Sequence, residues 1–208
     1  MNPNEQCSEM AGASGFLASP EHAAARKALR QAMRARRRAL PDTERAVADA
    51  ALQARIIAHP WFADARQIAL YEAFDGEVST TAVAQAATAA GKQVLYARIE
   101  AETLVFVTAE AFHHTAGGLP VPEGPAAYLA PTDLLLVPGL AFDATGQRLG
   151  FGRGHFDRVL AHLAVRTIGV AYSFQLVPRL PVAPWDRPVA VLVTEDAVHD
   201  FGFRGTGT

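Results

Sequence analysis

The sequence predicts an α/β fold: a single domain of three α/β/α layers, with a mostly parallel sheet between flanking helices. Two patterns carry this prediction. Strand-like apolar segments alternate with helix-like segments along the chain, as they do in parallel α/β proteins. Residues 133–137 (DLLLV) are typical of a strand that is buried on both faces of a parallel sheet. A chain of 208 residues, 50% of them hydrophobic, can bury such a core without metal or disulfide support.

Helix signals come first along the chain. The Ser-Pro-Glu sequence at residues 19–21 is typical of a helix start, and it predicts a basic helix that runs to about Leu40. Asp42 is predicted to cap a second helix. The apolar side predicted for that second helix consists of Ala46, Val47, Ala50, Ala51, Ala54 and Ile57.

Strand and turn signals fill most of the remaining chain. The predicted elements, in order, are a strand at residues 67–74, a turn at 76–77, an alanine-rich helix from Thr80 or Thr81 to Gly91, strands at 93–97 and 103–107, a loop at 116–125, the buried strand at 133–137, a long glycine-rich loop, a helix that begins at Phe156, and strands at 167–172 and 189–194.

Overall charge and cysteine content limit the function classes. The formal net charge of -2 predicts neither a nucleic-acid-binding protein nor a membrane-surface protein. Cys7 is the single cysteine, so no disulfide can form within the chain, which suits a reducing compartment. Residues 1–19 lack the pattern of a signal peptide and are predicted to be a flexible tail, and no apolar run is long enough to span a bilayer. We expect a cytoplasmic monomer whose catalytic domain is residues 20–208.

The most informative segment is the glycine-rich loop at residues 138–158, PGLAFDATGQRLGFGRGHFDR. It leaves a buried strand and enters a helix, which is where α/β sheets bind anions. Gly150, Gly152 and Gly154 would let backbone N–H groups approach a phosphate closely. The helix N-terminus that follows adds a partial positive charge, so the segment is a candidate phosphate site.

Charged side chains in this loop fit the same interpretation. Arg148 and Arg153 can donate paired hydrogen bonds to phosphate oxygens. Asp157 lies one helical turn beyond the glycines, where a carboxylate suits magnesium. On spacing alone, phosphate binding and a mobile turn are equally good interpretations. The segment lacks the Gly-Lys-Ser/Thr of a P-loop, and its strand and helix are too far apart for a dinucleotide fingerprint.

The loop resembles the signature of the 5-formyltetrahydrofolate cyclo-ligase family, usually PG(L/V)AFD..G.RLG.G.GYYDR, at nearly every fixed position. Weaker similarity runs from about Ala24 to Asp196. The resemblance implies that ATP and a reduced formyl-folate bind here with Mg²⁺, and that Arg148, Arg153 and Asp157 are catalytic. The ATP contacts that it implies in the loop are Arg148, Leu149, Gly150, Phe151, Gly152, Arg153, Gly154, His155 and Phe156.

The first helix carries Arg26, Arg30 and Arg34 on one face. Composition alone favours a solvated basic face, or a patch for RNA or acidic lipid. In the family that the loop resembles, the opening helix provides a lysine and an arginine, four residues apart, to the nucleotide phosphates. Arg26 and Arg30 stand at these positions, so both are predicted to bind ATP. An arginine in place of the lysine preserves the charge but changes the geometry.

Residues 76–80 (GEVST) resemble the short G-E-(I/V)-x-T segment of the family, whose glutamate helps to bind the folate. Glu77 is therefore predicted to accept paired N–H donors from the pterin ring. Without the resemblance, an exposed residue at a strand end is the preferred interpretation. The resemblance also places Asp186 beside Asp157 at the metal. The further substrate contacts that it implies are Phe151, Gly152, Arg153, Gly154 and His155.

The reaction that the resemblance implies has two steps. The formyl oxygen of 5-formyltetrahydrofolate attacks the γ-phosphate of MgATP, and then N10 attacks the activated carbon, phosphate leaves and 5,10-methenyltetrahydrofolate forms. The family usually has two tyrosines where this chain has His155 and Phe156, so a paralogue that acts on another small molecule is one alternative. A non-enzymatic nucleic-acid-binding module, motivated by the basic first helix, is the other, and it predicts steeply salt-dependent binding.

Overall fold

The computed structural model describes residues 20–115 and 120–202. The predicted flexible tail at residues 1–19, which contains Cys7, and the first four residues of the predicted loop lie outside the described residues. The helices of the described part are α1 (Pro20–Arg38), α2 (Asp42–Ala58), α3 (Pro60–Asp64), α4 (Thr81–Ala89) and α5 (His155–His162), with a short 3-10 helix at Ser173–Gln175.

Its strands are β1 (Gln67–Leu70), β2 (Gln93–Glu100), β3 (Thr103–Thr108), β4 (Ala111–His114), β5 (Pro120–Glu123), β6 (Leu134–Pro138), β7 (Ala141–Asp143), β8 (Arg148–Leu149), β9 (Arg166–Val170), β10 (Leu176–Val177), β11 (Val191–Val193) and β12 (Val198–Asp200).

A mostly parallel sheet of seven strands forms the centre, in the order β12-β11-β9-β6-β1-β2-β3. The inner pairs are parallel, and only the outer strands β12 and β3 pair antiparallel with their neighbours. The α/β prediction with a mostly parallel sheet is therefore confirmed. The predicted strand at residues 133–137 is β6, and all five residues of β6 are buried, as the apolar run requires.

The strand order reverses between β1 and β6. From β1 the sheet continues through β2 to β3, whereas on the other side of β1 it continues through β6, β9 and β11. Because β1 and β6 are parallel, the segments that follow them leave from the same edge of the sheet. Such a reversal forms a crevice at the carboxyl ends of the strands, where α/β proteins bind ligands. This crevice is called the switch-point crevice below.

Helices pack on both faces of the central sheet, which gives the three predicted layers. On one face, Ile68 and Leu70 of β1 contact side chains of three helices; on the other, Ala69 lies in a cluster with Phe142 and Leu160 of α5. This alternation follows from the two-residue period of a strand. The buried helical residues of the first face are Leu52, Ile56, Phe62, Val83 and Ala87.

The first helix packs on a second, smaller sheet. Strands β10, β7 and β8 form this sheet, and β7 and β8 lie within the segment that the sequence predicts to be one long loop. Met33 of α1 packs there against Leu140, Leu149 and Leu180. The predicted loop is thus partly folded, and α1 lies next to its glycines.

The apolar side predicted for α2 is wrong. The buried residues are Leu52, Gln53 and Ile56, whereas Val47 is 72% exposed. Burial of a leucine or isoleucine side chain stabilises by about 1.5–3 kcal/mol, far more than burial of an alanine methyl group, so the large aliphatic residues decide which side faces the sheet. The remaining exposed residues of the predicted side are Ala46, Ala50 and Ala54.

Other boundaries also differ from the predictions. Strand β1 ends at Leu70 rather than at residue 74, and β5, which pairs with β4, lies within the loop predicted at residues 116–125. Pro41, not Asp42, occupies the N-cap position of α2 and makes no side-chain hydrogen bond there. Neither β12 nor the short helix α3 is predicted, because both are too short to show a hydrophobic period.

Within residues 20–115 and 120–202, no helix combines the length and the apolar character that a membrane span needs.

Gln53 caps α4 from the neighbouring helix. Its Oε1 accepts a hydrogen bond from the Ala82 N–H at 2.7 Å, whereas the Thr80 hydroxyl donates to Tyr71 O instead of capping the helix. We expect Gln53→Leu to lower the free energy of unfolding by about 1–3 kcal/mol, because it leaves this N–H group without an acceptor. Urea denaturation measures the change. Gln31→Leu, at an exposed glutamine of α1, is the control. Equal stability of the two variants would contradict the capping role of Gln53.

Candidate active site

The glycine-rich loop is held against α1 at the switch-point crevice. Arg30 Nε donates to Gly150 O at 2.9 Å, and a Cβ atom built on Gly152 would lie 3.3 Å from Arg30 Cζ. Gly154 occupies the N-cap position of α5 with φ of 69°, a conformation that favours glycine. The loop therefore lies between a buried part of α1 and the N-terminus of α5, as an anion site requires.

Arg148 is paired with Asp157 beneath this loop. Its Nη2 donates to Asp157 Oδ1 at 2.8 Å and its Nη1 to Pro138 O at 3.4 Å, and its side chain is only 4% exposed. A Cβ atom at Gly150 would lie 2.6 Å from Arg148 Nη1, so this glycine is needed for close packing on the arginine. The burial of Arg148 beneath the loop disfavours the prediction that it contacts phosphate.

A second buried ion pair joins α1 to the segment before β11. The guanidinium of Arg26 contacts both carboxylate oxygens of Asp186, and its Nη1 also donates to Pro181 O at 2.8 Å. The side chains of Arg26 and Asp186 are 13% and 2% exposed. Burial lowers the pKa of Arg30, and the charge of Arg26 lowers it further, while Asp186 acts in the opposite direction. Two arginines thus face one carboxylate here, which leaves positive charge for an anion.

The two predicted magnesium ligands, Asp157 and Asp186, differ in how many of their carboxylate oxygens already accept hydrogen bonds. Oδ1 of Asp157 accepts from Arg148 and from the Arg187 N–H at 3.4 Å, which brings the chain next to Asp186 against Asp157. Both oxygens of Asp186 are used by Arg26, and one also accepts from Ala183 N–H at 2.8 Å. Across residues 20–115 and 120–202, no three His, Cys, Asp or Glu residues cluster as a metal site. A carboxylate with a free oxygen, completed by substrate phosphates, still fits magnesium, and Asp157 is the better placed of the two.

Glu77 is buried and faces an arginine, unlike the exposed residue that a strand end alone would suggest. Its side chain is 7% exposed, its Oε1 lies 3.9 Å from Arg37 Nη1, and its Oε2 accepts from the Phe74 N–H at 3.1 Å. Burial raises the pKa of Glu77 to about 7, although the charge of Arg37 and the Phe74 N–H act to lower it. Near neutral pH this carboxyl group can therefore exist in both protonation states.

Asp75 binds arginines at the C-terminal end of α1, and the sequence analysis did not identify this residue. Its carboxylate accepts from Arg34 Nε at 2.6 Å and from Arg38 Nε, while its carbonyl accepts from Arg37 Nε at 2.9 Å. Burial by itself would raise the pKa of Asp75, but the hydrogen bonds from Arg34 and Arg38 outweigh it and hold the pKa below its ordinary value. Extending the Arg26, Arg30, Arg34 series by one further helical step leads to these residues, which is the signal that could have found them.

Phe151 brings the glycine-rich loop next to the arginines near the end of α1. Its ring is 43% exposed and its centre lies 5.7 Å from Cζ of both Arg34 and Arg37, within cation–π range. Arg37 in turn faces Glu77. The structure thus brings together Arg30, Gly150, Phe151, Gly152, Gly154 and Glu77.

Other predicted residues point elsewhere. The Nδ1 atom of His155 lies 3.0 Å from Glu102 O, in the turn between β2 and β3, which disfavours stacking on a ligand in the crevice. Phe156 packs in the core with its ring 5.5 Å from Arg148 Cζ, and Leu149 is 1% exposed, so neither side chain is open to ATP. Among the described residues, the Arg153 guanidinium makes no hydrogen bond or ion pair, and the residue is exposed. It is therefore free to meet a ligand.

Fold and site together define a class of protein. A parallel α/β sheet carries, at its switch point, a glycine-rich loop beside two cationic side chains and a buried carboxylate. Open α/β sheets bind ligands in such a crevice, and the loop and the cationic side chains suit an anionic one.

Comparison with known proteins gives the family. Residues 22–195 match the model of the 5-formyltetrahydrofolate cyclo-ligase family, so the chain belongs to that family. The 5-formyltetrahydrofolate cyclo-ligase of Escherichia coli K12 is 31% identical over 185 residues, which are 81% of this chain and 100% of that protein. The mouse cyclo-ligase is 28% identical over 193 residues, 83% of this chain and 95% of the relative.

Solved structures agree with these sequence matches. The 5,10-methenyltetrahydrofolate synthetase of Aquifex aeolicus has a TM-score of 0.75 and 32% identity, over 88% of this chain and 95% of that chain. The synthetase of Mycoplasma pneumoniae has a TM-score of 0.68 and 26% identity, over 82% of this chain and 98% of that chain. The predicted family is confirmed.

We expect Arg148→Met to destabilise the fold by about 3–5 kcal/mol, because it leaves the Asp157 carboxylate without its buried partner. Chemical denaturation measures the loss. Arg66→Met, at an exposed arginine, is the control and should change stability by less than about 0.5 kcal/mol. A loss no larger than that of the control would show that Arg148 does not hold Asp157.

The raised pKa of Glu77 predicts a pH-dependent stability. A carboxyl group whose folded pKa lies above its unfolded value contributes stability below the unfolded pKa, and this is lost as pH rises through the folded pKa. The window here runs from 4.5 to about 7. Relative to Glu77→Gln, the wild-type free energy of unfolding should fall across it by roughly 3 kcal/mol. Parallel stability curves for the two proteins would exclude a raised pKa.

Proposed function

We propose that this chain converts 5-formyltetrahydrofolate into 5,10-methenyltetrahydrofolate while ATP becomes ADP and phosphate. One observation carries the proposal: Arg37 lies between Phe151 of the glycine-rich loop, which Arg30 holds, and the buried carboxylate of Glu77. Membership of the cyclo-ligase family and the activities named for the relatives support it. A cytoplasmic location and a monomeric state are kept as parts of the proposal.

ATP would bind on the side of the crevice formed by α1 and the loop. The guanidinium of Arg30, the backbone N–H groups of Gly152 and Gly154, and the N-terminus of α5 can all meet phosphate oxygens. Arg153, exposed at the centre of the loop, can reach the transferred phosphoryl group. Arg30 and the glycine N–H groups are held by the fold before the reaction starts, so they can stabilise growing negative charge without having to reorganise.

The pterin would bind on the other side, against Phe151 and Glu77. The half-exposed ring of Phe151 offers a flat apolar surface for stacking. A carboxylate can accept two N–H bonds from the amino-pyrimidine edge of a pterin, much as it pairs with a guanidinium. This arrangement orients the formyl group relative to the phosphates, which is the main requirement of the chemistry.

Ring closure then needs no protein nucleophile. The formyl oxygen attacks the γ-phosphorus and ADP leaves. N10 then attacks the formyl carbon and loses its proton to solvent, and phosphate leaves with the former formyl oxygen. When bound, magnesium neutralises charge on the ATP phosphates. Asp157 would hold it through the oxygen that Arg148 does not contact. The metal role of Asp186 stays a prediction, because it requires Arg26 to release that carboxylate.

The nucleic-acid-binding alternative is not favoured by the described residues. Arg26, Arg34, Arg37 and Arg38 of α1 are paired with Asp186 or Asp75, so part of the positive charge of this helix is neutralised within the protein. The alternative of a paralogue with another substrate depends on His155 and Phe156, whose side chains the structure directs away from the crevice.

The test of the activity is direct. Purified protein is mixed with 5-formyltetrahydrofolate and MgATP, and the near-ultraviolet absorbance of the methenyl product is followed. We expect the band to grow only when both ATP and magnesium are present. Folded protein that binds ATP but gives no band would contradict the proposal and favour a paralogue with a different substrate.

Arg153→Ala should reduce kcat/KM by an amount equivalent to about 2–4 kcal/mol of transition-state stabilisation, the usual effect of losing one donor to a developing charge. Steady-state kinetics with 5-formyltetrahydrofolate and ATP measures it. Arg66→Ala removes an exposed arginine that precedes β1, at the opposite edge of the sheet, and should leave the rate unchanged. If both variants turn over like the wild type, Arg153 does not touch the phosphoryl group.

A further inference from the structure

Arg37 is an unusually buried cation. Its side chain is 1% exposed, although it belongs to a helix whose neighbouring arginines Arg36 and Arg38 are exposed. Removing a guanidinium from water is costly unless carboxylates and hydrogen bonds compensate it. Its Nε donates to Asp75 O at 2.9 Å, and its Nη2 lies 3.6 Å from Asp75 Oδ2 but makes no hydrogen bond within the described residues. The position is therefore poorly explained by stability alone.

The position of Arg37 relative to Glu77 suggests a function for the burial of Arg37. Arg37 Nη1 lies 3.9 Å from Glu77 Oε1, which is close enough for strong attraction but too long for a hydrogen bond. The hydrogen bond described for this carboxylate, from Phe74 N–H, goes to Oε2. Arg37 thus supplies charge to Glu77 without occupying the lone pairs of Oε1. A carboxylate held in this way stays able to accept hydrogen bonds from a ligand.

The same helix reaches the phosphate side. Arg30 and Arg37 are about two helical turns apart and so share one face of α1. Arg30 binds the loop at Gly150, and Arg37 lies 5.7 Å from the ring of Phe151 in the same loop. One rigid element therefore fixes the distance between the groups assigned to ATP and the group assigned to the pterin.

We propose that Arg37 is a positioning residue that favours the ionised form of Glu77 and leaves Oε1 able to accept an N–H group of the pterin. The inference rests on the proposed function, in which Glu77 binds the pterin. Arg37 touches neither substrate in this proposal. It acts through Glu77, and its other neighbour in the site, Phe151, also lies on the pterin side, so its removal should affect the folate and spare ATP.

Several other charged or titratable groups surround this pair. Asp75 flanks it on the same turn, Tyr71 lies buried nearby, and Arg45 of α2 donates to Gly76 O at 3.0 Å. Further away, Tyr172 binds Asp49 of α2. Among them, Arg37 is the largest influence that favours the charged form of Glu77, while Asp75 opposes it. Loss of Arg37 should therefore raise the pKa of Glu77 and reduce its ionised fraction at neutral pH.

The experiment compares Arg37→Met with Arg36→Met. Arg36 is the adjacent, exposed arginine, whose guanidinium lies over Phe174 and outside the site. We expect Arg37→Met to raise KM for 5-formyltetrahydrofolate roughly 10- to 100-fold, with KM for ATP and kcat nearly unchanged. The acid limb of kcat/KM for the folate should also move to higher pH. Arg37→Lys should restore part of both effects, and Arg36→Met should resemble the wild type.

Two kinetic results would overturn the inference. One is an unchanged folate KM and pH profile in a folded Arg37→Met protein. The other is an equal rise in both KM values, since that indicates general disorder of α1. If Arg37→Met does not fold, Arg37→Lys is compared with the wild type. The proposed role of Arg37 is rejected if the acid limb of kcat/KM for the folate is the same in both proteins. It is also rejected if that limb persists in Glu77→Gln.

A substrate-free measurement separates this inference from the proposed function. The side-chain carboxyl carbon of Glu77 is followed by NMR during a pH titration, with Glu77→Gln used for assignment. The pKa should be higher in Arg37→Met and in Arg37→Lys than in the wild type. Equal values reject the inference even if the enzyme is active. Different values, together with no turnover of 5-formyltetrahydrofolate, reject the proposed function but keep the electrostatic link between the two residues.

Discussion

The site depends on the pairing of arginines of α1 with carboxylates of the sheet body. Arg26 binds Asp186 at one end of the helix, and Arg34, Arg37 and Arg38 converge on Asp75 toward the other. Between these anchors, Arg30 contacts the glycine-rich loop. Without the two anchors, α1 would be attached to the small sheet mainly through Met33 and its neighbours, and nothing would fix the loop relative to Glu77.

Buried ion pairs of this kind contribute more to geometry than to net stability. Removing two charges from water offsets most of their attraction, so such pairs are weak evidence for a stable fold, whereas breaking one of them is strongly destabilising. The same balance explains Glu77, where desolvation dominates and raises the pKa despite the facing Arg37. The hydrophobic layers around β6 supply the stability, and the ion pairs determine which groups meet in the crevice.

The sequence predicts the parallel sheet and the buried strand β6, because each depends on local pattern, whereas anion binding by the glycine-rich loop stays a prediction. The sequence could not predict which arginine is free. Arg148 and Arg153 look alike in the sequence, yet one is buried on Asp157 and the other is exposed. Such differences come from contacts between distant segments. The buried face of α2 was predicted wrongly for a related reason. Alanines set the predicted period, but the two large aliphatic residues, Leu52 and Ile56, decide which side is buried.

A structure of the protein with a non-hydrolysable ATP analogue and 5-formyltetrahydrofolate tests the central claim most directly. We expect both ligands in the switch-point crevice, with the terminal phosphate beside Arg30 and Gly152 and the amino-pyrimidine edge of the pterin on Glu77. The claim would be contradicted by ligands bound elsewhere, such as in the cleft lined by Leu160, Val165 and Phe201 near the start of β9, or by a pterin that makes no contact with Glu77.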